Sequence, residues 1–118
     1  RTLAADLGSA LGGGAHLRCL RRTAVGSFTI ADAGSVEAPV LLPMSEALRD
    51  LPGVTVDEQT AEEVSFGRPL GLDRLGLDPE TGGEGPWPVH GPDGQLLAVY
   101  EPHKGGAKPV MVLAPAGS

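Results

Sequence analysis

Apolar residues recur at Leu3, Leu7 and Leu11, each four positions from the last, with Ala4 and Ala10 beside them. That spacing predicts one apolar helix face, and the run Gly12-Gly13-Gly14 predicts its end. No Asp, Asn or Ser precedes Arg1 to cap this helix, so the chain reads as starting inside an element, as a fragment of a longer protein. The period then changes to two. Over residues 15–23, Leu17 and Cys19 fall on one side, and Arg18, Leu20 and Arg22 on the other. Alternation of this kind predicts a strand with one apolar and one mostly basic face, continued by a second over 25–30 in which Gly26 marks a bend or bulge.

Residues 31–42 carry no clear pattern. "PMSEALRDLPG" (43–53) predicts a short helix with Met44, Leu48 and Leu51 inward, closed by Pro52-Gly53. That dipeptide is the expected domain boundary, giving domains over 1–52 and 53–118. Beyond it, "VTVDEQ" (54–59) predicts a strand. "TAEEVSFG" (60–67) predicts a helical turn capped by Thr60, with Glu63 at the capping-box spacing and Gly67 as the stop. "GLDRLGLDPETGGEGP" (71–86) is rich in glycine and acid and predicts a mobile loop. "WPVH" (87–90), "QLLAVYE" (95–101) and "PVMVLAP" (109–115) predict three strands, the first two joined by a "GPDG" turn and the last two by "HKGGAK". A short helix among four or more strands predicts an α+β chain whose second part is a small β-barrel-like module.

Composition adjusts this picture in two places. The 118 residues include 18 Gly and 11 Pro but only 3% aromatics, so turns are many and the core is modest. The single Cys19 excludes an internal disulfide and fits a reducing, cytoplasmic setting. No apolar run approaches a membrane span. Charge is uneven: Arg1, Arg18, Arg21 and Arg22 face only Asp6 in the first 28 residues, while the rest of the chain carries 5 basic and 14 acidic residues. A basic end on an acidic chain points to an anionic partner at that end.

Most other chemistry is absent from the pattern. His16 and Cys19 form an H-x-x-C pair, but His90 and His103 are unpaired and distant, so no metal site is expected. Gly12–Gly14 lacks a phosphate-loop pattern and follows a helix, not a strand. There is no G-x-S-x-G, and the carboxylates after residue 57 read as a solvated surface. The arginine strip stands apart. Arginine donates in a fork that suits phosphate, and Leu20 between Arg18 and Arg22 adds an apolar contact of the sort that holds an unstacked base.

"RTLAADLGSALGGGAHLRCLRRTAVGSFTIADA" resembles the later part of the catalytic domain of bacterial tRNA pseudouridine-55 synthases, the TruB family. The family pattern G-T-Y-I-R-x-L-x-x-D-L-G-x-x-L-G-x-G-A-H-L-x-x-L-R-R-T-x-x-G-x-F is matched from Arg1 through Asp6, Gly8, Gly12, His16, Leu20, Arg21, Arg22 and Thr23 to Phe28. "LLPMSEALRDLP" is similar to the family's linker helix. Residues 54–115 resemble, more loosely, its C-terminal PUA or PUA-like RNA-binding domain. The resemblance implies the tail of a mixed α/β catalytic domain followed by a PUA-like β-barrel. It also implies isomerisation of uridine 55 in the T-loop of tRNA, with no cofactor and no metal, by a cytoplasmic monomer whose partner is the tRNA T-arm. It implies that Arg1 pairs with the nucleophilic aspartate, that Leu20 lines the pocket of the flipped base, and that Arg21 and Arg22 either contact the RNA backbone or pair structurally in the same wall; Arg18 is expected to bind substrate with them. The aspartate motif G-x-L-D-P-x-A-T-G is not in these residues. "GLDPETG" (76–82) echoes it only superficially, so Asp78 is not expected to act, and the fragment is expected to be inactive alone. Two other readings stand beside this one: an RNA-binding PUA-like module without catalysis, and an acidic protein-interaction domain.

Overall fold

In a computed structural model, which describes residues 1–80, 82–114 and 116, the first helix α1 spans Thr2–Ala10. Gly12 N–H donates to the Ser9 carbonyl and Gly13 N–H to the Gly8 carbonyl, at 3.1 and 2.9 Å. This is the paired bonding of a Schellman ending, which satisfies carbonyls that the helix itself leaves free. The chain then doubles back so closely that a Cβ on Gly8 would lie 2.5 Å from the Ala15 nitrogen. Glycine at position 8 is therefore a steric requirement of the return.

The strand expected over 15–23 does not form. No partner strand pairs with those residues among the described ones, and a strand without a ladder leaves its backbone polar groups to water. Leu17, Cys19 and Leu20 are exposed. Pairing begins only at β1 (Ala24–Val25), which joins β2 (Phe28–Thr29) antiparallel across a turn at Gly26, where φ is +56°. Thr29 then caps a 3-10 turn, Ile30–Asp32, reciprocally with Asp32: the Asp32 carboxylate accepts from Thr29 N–H at 2.8 Å. These elements lie in one compact unit, Arg1–Gly34; the other is Ser35–Ser118.

The second unit holds the core. A 3-10 turn, Met44–Leu48, leads in, with Leu48 and Leu51 half-buried but Met44 exposed, against the inward position expected for it. The tighter winding of 3-10 geometry sets its inward face at a period of three, so a pattern read at 3.6 loses phase. Strand β3 is only Val54–Thr55, because Asp57 already caps helix α2 (Glu58–Ser65). The Asp57 carboxylate accepts from Thr60 N–H at 2.7 Å. The cap is thus three residues earlier than expected, and Thr60 is buried inside the helix. Gly67 ends α2 as predicted, with Gly67 N–H on the Val64 carbonyl and Arg68 N–H on the Glu63 carbonyl.

After α2 come β4 (Leu70–Gly71), β5 (Trp87–His90), β6 (Leu96–His103) and β7 (Gly106–Val112). They form a curled five-stranded sheet in the order β3-β5-β6-β7-β4, parallel between β3 and β5 and antiparallel elsewhere. The chain is α+β, as expected. The last residue of the strand predicted over 109–115 lies outside the described residues. Period-two burial is clear in β6, where Leu96, Ala98 and Tyr100 point inward. They pack with Val56, Val64, Leu70, Leu75, Trp87, Val89 and Ala107. Both edge strands have two residues, which leaves little free edge for another chain to pair with.

The mobile loop expected over 71–86 falls in part on residue 81, outside the described residues; over 71–80 and 82–86 the chain packs on the core. Asp73–Leu75 forms a 3-10 turn, Leu75 is core, and the Trp87 indole N–H donates to the Gly82 carbonyl at 2.8 Å. Three leucines, Leu72, Leu75 and Leu77, anchor it to the sheet. Burying those side chains offsets the entropy that the glycines would otherwise keep.

Candidate nucleic-acid interface

The return of the chain over Gly8 is what assembles the site in the first unit. Because the backbone turns back at Gly12–Ala15, residues 17–20 come alongside the start of α1. Arg1, Leu17, Arg18, Cys19 and Leu20 line one open cleft of about 210 Å³. Three of the expected site residues, Arg1, Arg18 and Leu20, are therefore neighbours although seventeen or more positions separate Arg1 from the others in sequence.

Arg22 lies elsewhere. With Thr23, Ala24, Val25, Phe28, Thr29, Ile30 and Ala33 it lines a second notch, also about 210 Å³, formed by the β1–β2 hairpin. Arg21 is exposed and lines neither. Leu17 and Cys19, which strand alternation puts on the opposite face, line the Arg1 cleft as well. Without a strand the alternation no longer governs which side chains meet.

Electrostatics favour an anion here. No ion pair is found at Arg1, Arg18, Arg21 or Arg22 among the described residues. Asp32, an acid of the same unit, is engaged by Thr29. Leu20 is 82% exposed, so the cations flank an apolar side chain already open to solvent. Arginine stays protonated and cannot act as general acid or base, so these groups are suited to binding and orienting an anion rather than to transferring protons. Cys19 is exposed and unbridged, and among the described residues no three His, Cys, Asp or Glu side chains gather to hold a metal ion. No helix of the described residues is long and apolar enough to cross a membrane.

Comparison with known proteins covers nearly all of the chain. The family described as tRNA Pseudouridine synthase II, C terminal, matches residues 51–114. The family described as tRNA pseudouridylate synthase B C-terminal domain matches residues 1–38. The chain is 42% identical to tRNA pseudouridine synthase B of Arthrobacter sp. (strain FB24), aligned over 98% of the chain and 40% of that relative. It is 40% identical to the protein of the same name from Paenarthrobacter aurescens (strain TC1), over 98% of the chain and 39% of the relative. With that of Streptomyces griseus subsp. griseus it shares 38% over 97% and 38%. The chain thus spans about two-fifths of the length of the curated relatives it matches.

Proposed function

The chain belongs to the tRNA pseudouridine synthase II C-terminal family, and we propose that it supplies the C-terminal part of an enzyme that isomerises the T-loop uridine of tRNA, position 55, to pseudouridine. In this reading residues 1–52 end the catalytic domain and 53–118 form a PUA-like RNA-binding domain. The enzyme is a cytoplasmic monomer that engages the T-arm. The observation that carries the reading is alignment of 97–98% of the chain with relatives of that name. The cleft that joins Arg1, Arg18 and Leu20 supports the assignment of residues.

The reaction conserves every atom of the nucleotide. The bond from ribose C1′ to uracil N1 breaks, a bond from C1′ to C5 forms, the C5 proton leaves, and N1 gains one. An aspartate from outside these 118 residues attacks. Arg1 stands beside it, and the guanidinium holds the carboxylate ionised and aimed. Leu20 presents an apolar surface to the flipped uracil, and Arg18, Arg21 and Arg22 take RNA phosphates.

The test is tritium release from tRNA labelled at uracil C5, with protein expressed from the complete reading frame. Arg1→Ala should lower turnover by about a hundredfold, as loss of alignment at a reacting centre does. Leu20→Ala should lower it less, and the 118 residues alone should release nothing. Full activity in Arg1→Ala would sink the assignment.

A further inference from the structure

A cleft of the second unit lies far in sequence from the arginine strip. It measures about 490 Å³ and is lined by Leu72, Pro79, Gly83, Glu84, Trp87, Pro102 and the turn His103–Gly106. That volume falls in the range of small-molecule sites.

Two features show it to be built rather than incidental. The first is its floor. The Trp87 ring is nearly inaccessible, its indole N–H is bound to the Gly82 carbonyl, and a Cβ on Gly85 would lie 3.1 Å from Pro102 Cδ and 3.3 Å from the ring. At Gly85 the segment carrying Glu84 is therefore seated closely on Trp87 and Pro102. The second is its rim. His103 and Gly106 face each other across the β6–β7 turn, and the central residues Lys104 and Gly105 have φ of +47° and +80°. Such turns favour Asn-Gly or Asp-Gly. Lys104 is the one residue other than glycine with positive φ among those described. A side chain held in that region is strained, and strain of this kind gathers at binding sites.

The chemistry of the lining is mixed in a specific way. Lys104, with His103 beside it, supplies a cation and ring N–H donors from the turn. The next two residues of the turn are glycines, whose backbone an anion can approach without a side chain in the way. Glu84 supplies a carboxylate from the loop, able to accept from hydroxyl or amino groups. Leu72, Pro79 and Pro102 supply apolar walls. A bare inorganic anion would use only the first of these; a cation would use only Glu84. We propose that the cleft binds a nucleotide, with the phosphate at Lys104 and His103, a ribose hydroxyl or base amino group at Glu84, and the base against the apolar walls. The nucleotide is either free or the end of an RNA strand. The proposal is independent of the arginine strip, so loss of isomerase activity or its presence leaves it standing.

Amide NMR mapping on protein from the complete reading frame tests it, with uridine 5′-monophosphate, uridine, inorganic phosphate and the trinucleotide UUU as probes. The monophosphate should shift the amides of Glu84, His103, Lys104, Gly105 and Gly106 and the Trp87 indole N–H. Uridine and inorganic phosphate should each bind at least tenfold more weakly. Tighter binding of UUU would identify an RNA end as the source, and equal or weaker binding a free nucleotide. Lys104→Gly keeps the turn, relieves its strain and removes the cation. It should raise the melting temperature while weakening the monophosphate at least fivefold. Shifts confined to other residues, no shift with any probe at millimolar concentration, or unchanged affinity in Lys104→Gly would overturn the proposal.

Discussion

The Tyr100 hydroxyl donates to the Arg68 carbonyl at 2.8 Å, joining the middle of the sheet to the chain that leaves α2. Tyr100 is fully buried, and burial, with the Glu63 charge as the lesser cause, pushes its phenol up to about 12. In the unfolded chain a tyrosine titrates near 10. The folded state therefore keeps its proton longer, and its contribution is complete below about pH 10 and lost as pH rises through about 12. Alkaline melting should show a loss on the order of 2–3 kcal/mol across that window. Tyr100→Phe should flatten it, and should itself cost about 1–2 kcal/mol at neutral pH through the abandoned carbonyl.

A second bond of this kind ties the 71–86 segment down. The Arg74 guanidinium donates to the buried Thr60 hydroxyl at 3.0 Å and to the Glu63 carboxylate at 2.9 Å. The ion pair alone is part-exposed and weak, but the donor to a buried hydroxyl is not replaced by water without cost. Arg74→Ala should destabilise by about 1–2 kcal/mol in urea titration, and Arg74→Lys should recover only part of it, since an ammonium lacks the fork.

Asp57 gives the opposite pH dependence. Its bonds to Thr60 hold the carboxyl below its ordinary value, with Arg74 adding a smaller pull. A depressed folded value means stability present above about pH 4 and lost as pH falls through the folded pKa. Asp57→Asn should keep the cap and remove that acid limb of the melting curve. Asp57→Ala should lower the melting temperature at neutral pH as well.

The arginine strip predicts a salt effect. With Arg21 and Arg22 both replaced by Ala, the slope of log affinity for tRNA against log salt should flatten by roughly one to two units, one phosphate contact for each arginine lost. An unchanged slope would show that neither touches the backbone of the RNA.

What could be read in the residues, and what could not, divides on whether a local pattern was enough. Leu3, Leu7 and Leu11 with Gly12 mark α1 and its end, because a helix and its ending are local, although all three leucines are exposed. Leu96, Ala98 and Tyr100 likewise describe β6. The alternation at residues 17–22 was just as regular, yet a strand needs a partner, and the pattern says nothing of partners. Thr60 and Asp57 both precede helical residues with capping side chains; burial of Thr60 against Arg74 decided between them. In the site, Arg18 and Leu20 were legible as a cation beside an apolar side chain. That Arg1 and Leu17 share their cleft depends on the close approach at Gly8. The left-handed Lys104 left no mark in composition at all.

The parallel pairing of β3 with β5 also sets an order of events during synthesis. Val54 has to wait for Val89 to leave the ribosome before it finds its partner. At roughly 5–20 residues per second that is a delay on the order of seconds. Trp87, Val89, Ala98, Tyr100 and Ala107 meanwhile arrive within the consecutive hairpins β5–β6–β7. The nascent chain thus keeps β3 and α2 in waiting and completes this unit from its later residues backward.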